Sequence, residues 1–146
     1  MKYKLLGTLV ATAAFACVSI ANAGTLNEVL KRGHLKCAIN TGLPGFAYTD
    51  DKGNWQGFDV AYCRALAAAV LGDPNKVKYK NTTGKTRFPT LASGEVDVLS
   101  RNTTWTLSRD VDLGFTFLGV SYYDGQGFIG RKSLGVKSAK DLDGAS

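Results

Sequence analysis

Between Thr25 and Leu99 the apolar positions switch repeatedly from a helical to a strand period. Thr25-Leu26-Asn27-Glu28 has the form of a capping box, with the Thr25 hydroxyl accepting from the Glu28 amide and the Glu28 carboxylate reaching back. Gly33 suits the left-handed position that ends the helix so begun. Leu35 to Asn40 then alternates, sending Leu35, Cys37 and Ile39 to one face of a strand. A turn-rich loop, Thr41 to Gly45, leads to Phe46 and Tyr48, and Asp50 to Asn54 is a polar hairpin signal. Val60 to Leu71 reads as a helix closed by Gly72-Asp73-Pro74. Its Val60, Cys63, Ala67 and Val70 share a face suited to packing on a sheet, which brings Cys63 within bonding reach of Cys37. Val77 to Lys80 is a second strand, Phe88 to Ser93 a short helix ended by Gly94, and Val96 to Leu99 a third, apolar strand. Strands that alternate with helices in this way form a parallel sheet with right-handed crossovers, so the fold class is α/β. Such sheets bind ligands beyond the carboxyl ends of their strands.

That edge is where the candidate chemistry lies. Ser100-Arg101-Asn102-Thr103-Thr104-Trp105-Thr106-Leu107-Ser108-Arg109 is dense in hydrogen-bond donors and holds neither a carboxylate nor a histidine. Thr106 and Ser108 can cap the turn that carries Arg109, whose planar fork matches a carboxylate with two parallel hydrogen bonds. Thr104 can add a hydroxyl and an amide to the same anion, while Trp105 suits the core or a cleft wall. The plainer alternative pairs Arg109 with Asp110 or Asp112 at the surface, where ion pairs are weak.

The N-terminus changes the picture. Lys2 and Lys4 precede an uncharged run from Leu5 to Ile20, and Ala21-Asn22-Ala23 follows, so residues 1–23 read as a secretory signal peptide. The run is shorter than the roughly 20 residues that a bilayer-spanning helix needs. Lipoprotein attachment at Cys17 is disfavoured by the bulky Phe15. Cleavage after Ala23 removes two lysines and no acid, so the net charge of +6 overstates that of the mature chain. The remaining charges are interspersed, Lys76, Lys78 and Lys80 reading as a solvated strand face, and no arginine-rich run points to nucleic acid. Cys37 and Cys63 are left as an exported pair, read as a disulfide or as two buried thiols. His34, the one histidine, has too few soft partners for a zinc site.

Together these stretches resemble the periplasmic amino-acid-binding proteins of ABC importers, in the branch that binds general L-amino acids. The resemblance is carried by Gly33 to Cys37, Gly42 to Phe46, Gly57 to Val60, Arg87-Phe88-Pro89, Ser93 to Leu99, the run Ser100 to Arg109, and Tyr122 to Phe128. It implies a periplasmic-binding-protein-like (type II) lobe with a mostly parallel sheet flanked by helices, the second lobe being largely missing. The implied organisation is a signal peptide (1–23), ligand-binding lobe 1 (24–125), a crossover hinge strand (126–131) and the start of an incomplete lobe 2 (132–146). By the same resemblance Arg109 clamps the α-carboxylate of a free L-amino acid and Thr104 assists it. Asn102 offers a backbone carbonyl to the α-ammonium, Arg101 lines the pocket, Phe46 or Tyr48 forms an aromatic wall, and Lys85 and Thr86 are candidates for the rim. The expected partners are inner-membrane ABC permease subunits, the protein being a periplasmic monomer without cofactor, metal or nucleic acid.

Two other functions fit the same fold. A periplasmic dehydratase would need a general acid or base at the cleft, whereas Asp97, in an apolar strand, suits a structural role. A sensory module derived from a binding protein would differ by its receptor, which the residues do not specify.

Overall fold

The computed structural model describes residues 24–144; the expected signal peptide and Cys17 lie outside them. The chain divides into two compact units, one running to Thr103 and the other starting at Thr104.

The first unit opens with helix α1 (Thr25–Arg32), whose N-cap is Gly24 and not Thr25. The expected capping box is therefore absent: Thr25 already has helical geometry, and the carbonyl of Gly24 takes the Asn27 amide at 2.8 Å. The helix ends where Gly33 adopts the left-handed conformation and returns its amide to the Val29 carbonyl, as expected. Strand β1 (Leu35–Asn40) follows with the expected bounds. After it come a short hairpin of β2 (Tyr48–Thr49) and β3 (Trp55–Gln56), helix α2 (Phe58–Leu71), β4 (Val77–Thr82), helix α3 (Arg87–Ala92) and β5 (Val98–Leu99). The hairpin turn is organised by Asp50, whose Oδ1 accepts from the amides of Lys52 at 3.0 Å and Asn54 at 2.8 Å.

The main sheet has the order β4-β1-β5, all parallel. Strand β1 pairs with β4 along its whole length, from Leu35 opposite Val77 to Asn40 opposite Thr82, and with β5 only at Cys37–Val98 and Ala38–Leu99. As the central strand it is covered on both faces, so Ala38 is as fully buried as Cys37 and Ile39, and the expected one-sided alternation gives way to a continuous buried run. The core is Cys37, Ile39, Ala47, Val60 and Cys63, flanked by Trp55, Val77, Tyr79 and Val98. A second cluster, Val29, Leu35 and Ala67, seats α1 and α2 on the sheet. Cys37 and Cys63 form a disulfide that ties β1 to α2, their Cα atoms 6.2 Å apart. Asp97, just before β5, takes the structural role expected of it: it is ion-paired with Arg32 and accepts the Lys36 amide at 2.7 Å.

In the second unit, Ser108–Asp112 forms one π-helical turn, and 3-10 turns occupy Lys132–Leu134 and Ala139–Leu142. Residues 114–131 carry neither helix nor strand, and Leu118, Tyr123, Phe128 and Ile129 along them are exposed. Around the last turn the Ser138 hydroxyl accepts the Lys140 amide at 3.0 Å, and Asp141 accepts the Ser138 amide at 2.8 Å. No helix among the described residues is long and apolar enough to cross a membrane.

Candidate functional site

The parallel strands of the first unit end together, β1 at Asn40, β4 at Thr82 and β5 at Leu99, and a polar network links the three ends. Arg101 is its hub. Its Nη1 donates to the Thr82 carbonyl at 2.6 Å and to the Thr82 hydroxyl at 3.2 Å, while Nε and Nη2 donate to Asn102 Oδ1 at 3.3 and 3.0 Å. The same Asn102 oxygen accepts from the Asn40 amide group at 2.9 Å, so β1 and the segment after β5 are joined side chain to side chain. The Thr82 hydroxyl passes the network inward, donating to the buried Ile39 carbonyl at 3.1 Å. Arg87, at the start of α3, donates through Nη1 to the Asn102 carbonyl at 2.9 Å and lies over the Phe88 ring at 4.8 Å. The carbonyl expected to meet the ligand ammonium thus already holds a guanidinium on one of its two lone pairs. Burial, and after it the nearby Arg87, push the Arg101 guanidinium below its usual pKa, while Asp59 opposes the shift.

The loop after β1 is bound to the start of α2. The first amides of that helix have no partner within it, and loop carbonyls supply one: Gly45 accepts from Phe58 and Phe46 from Asp59, both at 2.9 Å. Gly57 makes this approach possible. Its φ is 114°, and a Cβ there would lie 2.3 Å from the Phe46 carbonyl oxygen. The result is an aromatic step in which Phe46 meets Phe58 edge to face with centroids 6.2 Å apart, and Phe58 meets Tyr62 at 5.5 Å. Phe46 is half-buried in this step, whereas Tyr48 is exposed on the hairpin opposite Gln56. Phe58, exposed by 39%, lies outside the expected aromatic pair of Phe46 and Tyr48, because a helix expected to start at Val60 leaves it out of the first turn. Lys85 and Thr86 are both exposed in the turn before α3, where the Thr86 hydroxyl accepts the Thr83 amide at 2.9 Å.

Thr104 and Arg109 belong to the second unit. Thr106 Oγ1 accepts the Arg109 amide at 3.3 Å, whereas the Ser108 hydroxyl meets only the Thr106 hydroxyl, at 3.3 Å, so of the two expected caps Thr106 alone takes a backbone amide. Arg109 is half-buried as a residue, and its guanidinium donates through Nη1 to the Thr104 carbonyl at 2.5 Å in an exposed hydrogen bond. Asp110 receives the Trp105 indole N–H at 3.0 Å, and Trp105 stacks on Phe117 with centroids 5.1 Å apart. Trp105 remains nearly half exposed and so is not core. No group of three or more metal-ligating side chains occurs among the described residues.

The model of the bacterial extracellular solute-binding proteins, family 3, matches residues 35–142. The chain belongs to that family. The general L-amino acid-binding periplasmic protein AapJ of Rhizobium johnstonii is 57% identical over the whole of this chain and 43% of its own length. The glutamate/glutamine/aspartate/asparagine-binding protein BztA of Rhodobacter capsulatus is 64% identical over 86% of this chain and 37% of its own. A solved ABC transporter/periplasmic binding protein from Brucella ovis with glutathione bound superposes with a TM-score of 0.75 at 56% identity, covering 82% of this chain and 38% of that one. The chain therefore spans less than half the length of the curated relatives it matches. All three are named as binding proteins.

Proposed function

We propose that the chain is the amino-acid-capturing part of a periplasmic solute-binding protein, taking up free L-amino acids and delivering them to the permease subunits of an ABC importer. In this reading Arg109 clamps the ligand α-carboxylate with Thr104 assisting. Asn102 meets the α-ammonium through the remaining lone pair of its carbonyl, Arg101 holds Asn102 in place, and Phe46 provides the aromatic wall in preference to Tyr48. The observation that carries the proposal is the donor-rich Ser100 to Arg109 run, which follows directly on the carboxyl end of β5 in a member of a solute-binding family. The names of AapJ and BztA, both amino-acid-binding proteins, support the ligand class, and the periplasmic description of AapJ supports the compartment. A guanidinium fork suits a carboxylate better than any neutral group, because both hydrogen bonds are charge-assisted.

The test is calorimetric titration of the 146-residue chain with L-glutamate and L-glutamine, beside the α-methyl ester of glutamine. The free amino acids should bind and the ester, which lacks the carboxylate charge, should not. Arg109→Ala should weaken binding by at least about tenfold, the loss of one charge-assisted contact. Equal affinity for acid and ester, or an Arg109→Ala variant that binds as well as wild type, would refute the clamp.

A further inference from the structure

The segments that meet at the strand tips of the first unit, residues 40–42, 82–87 and 99–103, carry Lys85, Arg87 and Arg101 and neither Asp nor Glu. Two of these cations converge on one residue. Arg87 donates through Nη1 to the Asn102 carbonyl at 2.9 Å and to the Thr103 hydroxyl at 3.4 Å. Arg101 donates through Nε and Nη2 to the Asn102 side-chain oxygen at 3.3 and 3.0 Å, and through Nη1 to the carbonyl and hydroxyl of Thr82. Those Arg101 partners are neutral, so they fix the fork without cancelling its charge. They engage four of its five N–H groups, which leaves a proton of Nη2 to donate. Asp59, whose carbonyl accepts the Ser100 hydroxyl at 3.0 Å, is only 4% exposed and presents no carboxylate at the surface of the tips. An α-ammonium brought to the Asn102 carbonyl would thus stand beside two guanidinia, a repulsion that a negative group on the ligand itself offsets. A rim of one charge sign also concentrates solutes of the other.

We infer that the strand tips select an anionic side chain: Arg101, with Arg87 beside it, takes the side-chain carboxylate of an acidic amino acid and disfavours a cationic one. The rest of the ligand is supplied by the amino-acid reading above; the preference of the tips for a carboxylate is measurable without it.

The experiment compares near-isosteric ligands by calorimetry on the full chain. L-Glutamate should bind at least about tenfold more tightly than L-glutamine, the worth of one charge-assisted contact, and L-lysine more weakly than either. In Arg101→Gln the glutamate-to-glutamine ratio should fall to within about twofold of one. The ratio is the readout because loss of the bonds that Arg101 makes to Thr82 and Asn102 would weaken both ligands alike. Equal binding of glutamate and glutamine by wild type would overturn the inference while leaving the amino-acid reading in place, and so would a ratio that survives in Arg101→Gln. If wild type binds none of the three, the amino-acid reading fails and an NMR titration of wild type with glutarate, a dicarboxylate without an ammonium, decides the preference of the tips. A saturable shift of the Arg101 Nε–H with glutarate, absent with the neutral diamide glutaramide, would uphold it. An Arg101 signal indifferent to glutarate, or one that moves equally with both, would overturn it.

Discussion

Replacing Gly57 with alanine tests how the loop after β1 is locked to α2. At φ 114° an L side chain is strained, at a cost of about 1–3 kcal/mol. The new Cβ would also sit 2.3 Å from the Phe46 carbonyl oxygen and 2.5 Å from its carbon. Relieving that overlap moves the Phe46 backbone by roughly 1 Å, an overpacking cost of about 1–3 kcal/mol. It also strips the Asp59 amide of its acceptor, for about another 1 kcal/mol. The sum is about 3–7 kcal/mol, a large share of the roughly 5–15 kcal/mol by which domains are stable. Gly72→Ala is the internal control: that glycine has a φ of 70° but nothing within 4 Å of its would-be Cβ, so only the conformational cost of about 1–2 kcal/mol applies. Urea unfolding followed by circular dichroism should place the Gly57→Ala midpoint well below that of Gly72→Ala. Equal midpoints would show that the contact between the loop and α2 yields without cost, and the account of how Phe46 is held would fall with it.

Two further outcomes are expected. The Cys37–Cys63 bridge spans 26 residues, for which loop-closure entropy gives a stabilisation of about 3.5 kcal/mol; Cys37→Ala/Cys63→Ala should lose at least that in urea, and a loss under 1 kcal/mol would contradict it. Burial raises the Asp59 pKa against the pull of Arg101, so the folded state holds its proton to higher pH than the unfolded chain. In the window just above the ordinary aspartate value, stability should therefore fall as pH rises, a slope that melts of Asp59→Asn across the same window should lack.

Much of the fold was legible because its signals are local. The left-handed ends at Gly33 and Gly72, the bounds of β1 and the shared face of Val60, Cys63 and Ala67 all follow from residue type and spacing. The start of α2 was not, since it begins two residues before Val60 on amides capped by Gly45 and Phe46, residues a dozen positions away in the chain. Strand β4 runs on to Thr82 because its register with β1 continues to Asn40, whereas β5 shrinks to two residues for want of further partners. The polar run after β5 was visible as chemistry. Its internal bonding was not, because the Arg101 bonds to Thr82 and the burial of Asp59 depend on three strand ends meeting in space.

Both sulfurs of the bridge are shut away from solvent in the finished fold. An oxidant, or a thiol catalyst large enough to be a protein, can reach them only while the helix is still undocked from the central strand. The timing of oxidation is thus set by tertiary closure: material made in a reducing cytoplasm will bury two unoxidised thiols that later exposure to air repairs only as fast as the protein opens. How the chain is produced therefore decides which of the two covalent species is studied.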